Sequence, residues 1–188
     1  ANSSEIFWAD QNNQDSAKEL ILNTKNTNDS LGATVLTIIK GAPAGLGEVL
    51  YNKLDAALAS AMMGINGVKG VEIGDGINVA TMLGSQNNDF MDKNGFKSNH
   101  CGGILGGISN GNDIVIKSYF KPTPSIFKAQ PTINLDGNEI ICELRGRHDP
   151  CIGVRGSVVA TAMARLVIAD MLLLNASANL NNLKRIYQ

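Results

Sequence analysis

The sequence predicts a layered α+β fold, on three observations. Runs of strand length rich in β-branched residues occur at Ala33–Ile39 and Val68–Ile73. Apolar residues at helical spacing lie between and after them, and the connections carry turn signals of glycine, proline and asparagine. Short strands interspersed with helices and joined mostly by turns favour layers of helix against sheet.

The chain has 188 residues, 44% hydrophobic and 18% charged. That length buries a real core, and one domain is the first expectation, two being admissible. A formal net charge of −1 gives no reason to expect nucleic acid or an acidic membrane surface. The three cysteines, Cys101, Cys142 and Cys151, are odd in number and form no CxxC pair. They read as reduced thiols of a cytosolic protein. Residues 1–15 are polar and do not resemble a signal peptide, and the chain begins with alanine, as a piece of a longer polypeptide would. The longest apolar run, Ser157 to Leu174, contains Arg165 and Asp170 and reads as a buried helix, not a membrane span.

In chain order, Asp15 to Asn23 has helical spacing through Ala17, Leu20, Ile21 and Leu22, and a polar turn, Thr24 to Ser30, follows. The first strand closes at Gly41-Ala42-Pro43. Gly45-Leu46-Gly47 opens a helix with Leu50, Leu54, Leu58, Met62 and Met63 on one face, stopping near Gly64. Asn66-Gly67 is a turn signal before the strand Val68–Ile73. Gly84 to Lys97 reads as a loop. Asp113 to Phe120 reads as a strand ending at Lys121-Pro122, and Thr132–Ile133 and Glu139–Leu144 as short strands about an Asp136-Gly137 turn. The long helix is expected to begin at about Ser157.

Three stretches carry unusual chemistry. Ser98 to Gly111, SNHCGGILGGISNG, is a glycine cluster, read either as a loop or tight packing site or as backbone approaching a ligand. Arg145 to Gly156 sets three arginines, His148 and Asp149 before an apolar helix. Guanidinium forks and a helix amino terminus suit a ligand with several anionic groups; ion pairing on a solvated surface is the alternative. Lys121 to Ser125 (KPTPS) offers a cation and two hydroxyls on stiffened backbone, or is a plain strand exit. Asp170 sits among apolar neighbours in sequence. It is either salt-bridged to a partner such as Arg165 or a buried functional carboxylate. His100-Cys101 and His148-Asp149-Pro150-Cys151 match no zinc spacing, and no metal is expected.

GLGE before a helix, KLDA, ING-VKGVEIGDG, GSQNND, SNHCGGILGGISNG, KPTPSI and GRHDPCIGVR occur together and in order. From about Asp29 to Leu174 the chain resembles the second half of the chorismate synthase family, with residues 1–28 fitting a preceding helix and turn more loosely. The resemblance implies helices layered with antiparallel sheet in a cytoplasmic homotetramer. It implies a lyase of aromatic amino acid biosynthesis that forms chorismate from 5-enolpyruvylshikimate 3-phosphate by 1,4-elimination, using reduced FMN. The flavin would be reduced by a built-in NADP-linked activity or by an outside source.

Position by position, the resemblance implies flavin contacts at Asn66, Gly67, Gly106, Lys121, Pro122, Thr123, Pro124, Ser125 and Arg147. Arg155 would face the substrate's charged groups, and Asp170 would take part in proton transfer. His100, His148 and Asp149 fall in matching motifs as lining residues. Cys101 and Gly67 stand where the family more often has alanine. Neither of the family's two catalytic histidine motifs occurs, so the chain alone is expected to lack turnover. The alternative is a non-catalytic module that binds FMN or anions.

Overall fold

The computed structural model describes residues 4–187. Helix α1 (Gln14–Asn26) leads into strand β1 (Ala33–Ile39), helix α2 (Leu54–Met63) and strand β2 (Val68–Ile73). A short helix α3 (Gly84–Asn87) precedes two tiny hairpins, β3 (Met91–Asp92) with β4 (Gly95–Phe96), and β5 (Ile104–Leu105) with β6 (Ile108–Ser109). Strand β7 (Ile114–Phe120) is followed by the hairpin β8 (Gln130–Ile133) and β9 (Glu139–Cys142), then helices α4 (Gly153–Ser177) and α5 (Leu180–Tyr187).

The central sheet is antiparallel, in the order β1-β7-β2. Strand β7 alternates buried and half-buried residues along its whole length. Its core face presents Ile114, Ile116 and Phe120 to α2 and α4, the period expected of a sheet covered on one side. Helix α2 contributes Leu54, Leu58 and Met62, one residue per turn on one face and each fully buried. Truncating Leu58 to alanine there costs about 3 kcal/mol.

Two expectations about helices are corrected. The helix expected from Gly45 begins at Leu54, and Leu50 is exposed. Gly45 and Gly47 have φ of +97° and +98°, outside the helical region. The backbone there instead reaches the β5–β6 hairpin, where Gly45 N donates to Ser109 O at 2.9 Å and Leu54 N donates to Gly107 O at 2.8 Å.

The long apolar helix is not buried. Of α4 only Gly153, Gly156, Ala160, Ala164 and Met171 are buried, while Val158, Leu166, Leu172 and Leu173 face outward. The sheet takes the small-residue stripe because it permits close approach: a Cβ at Gly156 would meet the Phe120 ring at 2.5 Å. The large apolar side chains lie on the other faces. By length and composition α4 could cross a membrane, though Arg165 and Asp170 fall within it.

The stretch expected as a plain loop, Gly84 to Lys97, carries α3 and the β3–β4 hairpin. The last helix, α5, has no counterpart in the sequence reading.

Candidate functional site

Several sequence-predicted residues meet where α2 ends and α4 begins. The turn between α2 and β2 places Asn66 and Gly67 beside the exit of β7. Gly67 has φ +91°, and a Cβ there would lie 2.6 Å from Ile152 Cδ1, so conformation and space both call for glycine. Its carbonyl accepts from Lys121 N at 2.8 Å. Thr123 Oγ1 donates to Asp149 O at 3.1 Å, and Ser30 Oγ donates to Thr123 O at 2.7 Å. The first bond ties the KPTPS strand exit to the segment that precedes α4, and the second ties it to the residues before β1.

Asp149 is the pivot of that segment. One carboxylate oxygen lies 3.1 Å from Arg155 and the other 3.5 Å from Arg147. Both arginines are mostly exposed. Lys121 is exposed as well and meets no carboxylate among the described residues. Three cations against one carboxylate leave this rim positive.

Beneath it lies a cavity of about 750 Å³. Asn66, Asp149 and Arg155 stand at its polar side, and Ile65, Phe120, Ile152, Val159 and Met163 form apolar walls. That size and lining suit a small molecule that is part apolar and part anionic. Beside the rim, His148 stacks edge-on against Phe127, with ring centroids 4.9 Å apart. Its Nε2 is buried with no hydrogen-bond partner and, with Ser125, borders a second, very small cavity.

The glycine-rich stretch lies elsewhere. Gly107 abuts the first turn of α2, whereas Asn66 follows the last. A ten-residue helix separates them by about 15 Å. Most of these glycines serve packing: a Cβ at Gly102 would collide with Gly74 N, one at Gly103 with the Asp113 carbonyl, and one at Gly107 with the Glu48 carbonyl. Gly106 differs, being exposed with open space around it and φ +62°.

This strap is fastened by Asp89, which the sequence reading missed. Asp89 Oδ1 accepts from Ser98 Oγ and from His100 N, both at 2.7 Å, and Oδ2 accepts from Cys101 N at 3.0 Å. Burial opposes the charged carboxylate, yet the bonds from Cys101, Ser98 and His100 outweigh it and hold Asp89 well below the usual carboxylate range. Burial, and then Asp89 itself, push the Cys101 thiol up, which makes it a poor nucleophile. His100 Nδ1 sits 2.7 Å from Asp75 Oδ2. No short-range pattern announces Asp89. Its nine-residue separation from Ser98 lies inside a stretch that looks like plain loop.

Asp170 is exposed, not buried, and no cation stands within salt-bridge distance among the described residues. The expectation failed because its apolar neighbours in sequence are spread around the helix. Asp170 does share a face with Gly156 and Met163, at seven-residue intervals, about 10 Å beyond the cavity's last helical residue. Of the expected flavin contacts, only Asn66 lines the large cavity and only Ser125 the small one; Gly67, Lys121, Pro122, Thr123, Pro124 and Arg147 border neither. Among the described residues, no group of three or more histidine, cysteine or acidic side chains is arranged to hold a metal ion.

The family profile described as "Chorismate synthase" matches residues 1–173. A curated relative from Campylobacter fetus named "Chorismate synthase" is 74% identical over 187 residues, covering 100% of this chain and 52% of the relative. One of the same name from Campylobacter jejuni serotype O:2 is 62% identical over the same coverage. A solved structure described as "Crystal Structure of Chorismate Synthase" superposes with a TM-score of 0.69 at 31% identity, over 86% of this chain and 43% of that one. The chain spans about half the length of the curated relatives it matches.

Proposed function

The chain belongs to the chorismate synthase family, and from that premise we propose that it supplies the carboxyl-terminal half of an enzyme converting 5-enolpyruvylshikimate 3-phosphate to chorismate with reduced FMN. The observation that carries the proposal is that Asn66, Asp149 and Arg155 line one cavity, while Lys121 bonds to Gly67 next to Asn66, and Thr123 and Arg147 both meet Asp149. These residues lie up to ninety positions apart in sequence.

The donor set fits a flavin phosphate and an anionic substrate. Lys121, Arg147 and Arg155 supply charge and hydrogen-bond donors to phosphate and carboxylate groups. Asp149 holds the two guanidinium groups in register. Asn66 adds an amide, and the left-handed turn at Gly67 keeps its backbone free of a side chain. Ile152, Val159 and Met163 shield one side of the cavity from water. When bound, reduced FMN would lend electron density transiently in an elimination without net redox change. Asp170, about 10 Å further along the same face of α4, is the carboxylate assigned to hold or take a proton. The complete enzyme acts in the cytoplasm as a homotetramer.

The second reading, an FMN- or anion-binding unit without activity of its own, is favoured by two observations. Gly106 and Asp170 stand apart from the cavity, and the chain spans half of its relatives. Titrating the purified chain with oxidised and reduced FMN, alongside an assay for chorismate, separates the readings. The expected outcome is binding without turnover, since loss of a general acid or base alone costs about 10²–10⁴-fold. Chorismate formed at a complete enzyme's rate would overturn the assignment as half a site. Failure to bind either flavin would assign this cavity no role in flavin binding by the chain alone.

A further inference from the structure

Asparagine stands directly before glycine at three places, Asn66-Gly67, Asn94-Gly95 and Asn110-Gly111. Such an asparagine is open to attack by the glycine's own backbone nitrogen, because glycine carries no Cβ to block the approach. The structure holds the three very differently. Asn110 is fixed at both ends of its amide, where Oδ1 accepts from Asn112 N at 3.0 Å and Nδ2 donates to Cys101 Sγ at 3.6 Å. Its backbone N–H donates to Gly103 O at 3.0 Å. Asn94 sits in the turn of the β3–β4 hairpin, with its N–H on Asp92 Oδ1 at 2.8 Å and Gly95 paired opposite Asp92. Asn66 is exposed, and its side chain makes no hydrogen bond among the described residues. Its turn is closed by Val68 N donating to Ile65 O at 3.1 Å, and Gly67 N donates to no group among the described residues.

We propose that Asn66-Gly67 is the chain's site of spontaneous deamidation, and that the reaction puts a carboxylate into the cavity between α2 and α4. Gly67 N attacks Asn66 Cγ. The N–Cγ bond forms, the Cγ–Nδ2 bond breaks, and ammonia leaves with the proton from Gly67 N. Water then opens the cyclic imide at either carbonyl, giving aspartate or isoaspartate, with no oxidant or reductant involved. The positive rim favours the step, since negative charge develops on nitrogen and oxygen in the field of Lys121 and of Arg155, which lines the same cavity. Aspartate at this position sets a like charge against any anion that enters. Isoaspartate also lengthens the backbone just before Gly67, whose φ of +91° and carbonyl bond to Lys121 N hold the KPTPS exit in place. The conversion is independent of the flavin reading, and only its effect on anion binding rests on that reading.

Peptide mapping by mass spectrometry, on the purified chain aged at mildly alkaline pH, follows each asparagine as its amide becomes an acid. Asn66 should convert first and Asn110 last. In the Asn66→Gln chain the 66–67 junction should stay intact while Asn94 and Asn110 convert as before. Earlier conversion at Asn94 or Asn110, or no conversion at Asn66, would overturn the proposal. The Asn66→Asp chain should bind oxidised FMN about tenfold more weakly than its parent, the scale of one unfavourable charge in an anion site. Equal affinities would overturn the consequence for the cavity. A parent chain that binds no FMN would count against the flavin reading alone, and the peptide map would still decide for or against Asn66.

Discussion

The two ends of helix α2 use glycine for opposite purposes. At its amino-terminal end, the strap Ser98–Gly111 packs backbone on backbone: Gly74 against Gly102, Gly107 against the Glu48 carbonyl, with Asp89 bonding the strap's amides. At its carboxyl-terminal end, Gly67 opens a turn beneath exposed cations that bond little apart from one shared carboxylate. The first end spends its polar groups on itself, and the second leaves them available. Glycine density therefore marks where this chain is locked, and the sparse, charged turn marks where its polar groups stand unspent, as the proposed ligand site requires.

The sharpest way to break that contrast is Gly102→Ala. A Cβ there would collide with Gly74 at φ +65°, and strain plus overpacking cost about 3 kcal/mol. Thermal unfolding should show a large drop in midpoint, with flavin affinity of the remaining folded protein unchanged. Asp89→Asn comes next, at about 2 kcal/mol at neutral pH, because charge-assisted bonds to the strap are weakened. The sign with pH follows from the depressed carboxyl. Its contribution is complete above the ordinary value of 3.8 and is lost as pH falls through the lower folded value. Urea midpoints of parent and variant should converge in strong acid and diverge toward pH 7.

At the other end the expectation reverses. Arg147→Ala removes one mostly exposed cation, so stability should stay within about 0.5 kcal/mol. FMN affinity should fall about tenfold, the scale of one charge-assisted bond. A stability loss larger than the affinity loss would make this end structural too. The smallest effect belongs to Gly106→Ala. With open space around it, only the left-handed backbone resists, at about 1 kcal/mol. Unchanged FMN affinity would separate Gly106 from the cavity, and a drop would join it to the flavin.

How far all this could be read from sequence depends on the range of each interaction. The bounds of β1 and β2 were legible because alternation and flanking turns are local, and the antiparallel layering agrees with the expected class. The start of α2 was not legible: the spacing of Leu50 looks helical, but contacts of Gly47 with Gly107 and Leu54 decide the backbone there. The cavity residues were visible as separate motifs, and their meeting depends on the β7 exit and on bonds such as Thr123 to Asp149. Asp89 was invisible because its partners are fixed by the strap's fold and not by spacing. Asp170 was misjudged because hydropathy in sequence does not say which side of a helix a residue takes.

Small side chains beneath α4 carry a last consequence. Gly156 and Ala160 rest on a sheet face where Ser118 is fully buried with its hydroxyl unpartnered, so bulk and not bonding governs that layer. The same helix carries Arg155 at the cavity's rim, one residue before Gly156. The helix thus works as a caliper whose jaw width is set in the core and read at the mouth. Widening Ala160 by even two methylenes would lift α4 and carry Arg155 away from Asn66, so the cavity's mouth is gauged in part by a residue that does not line it.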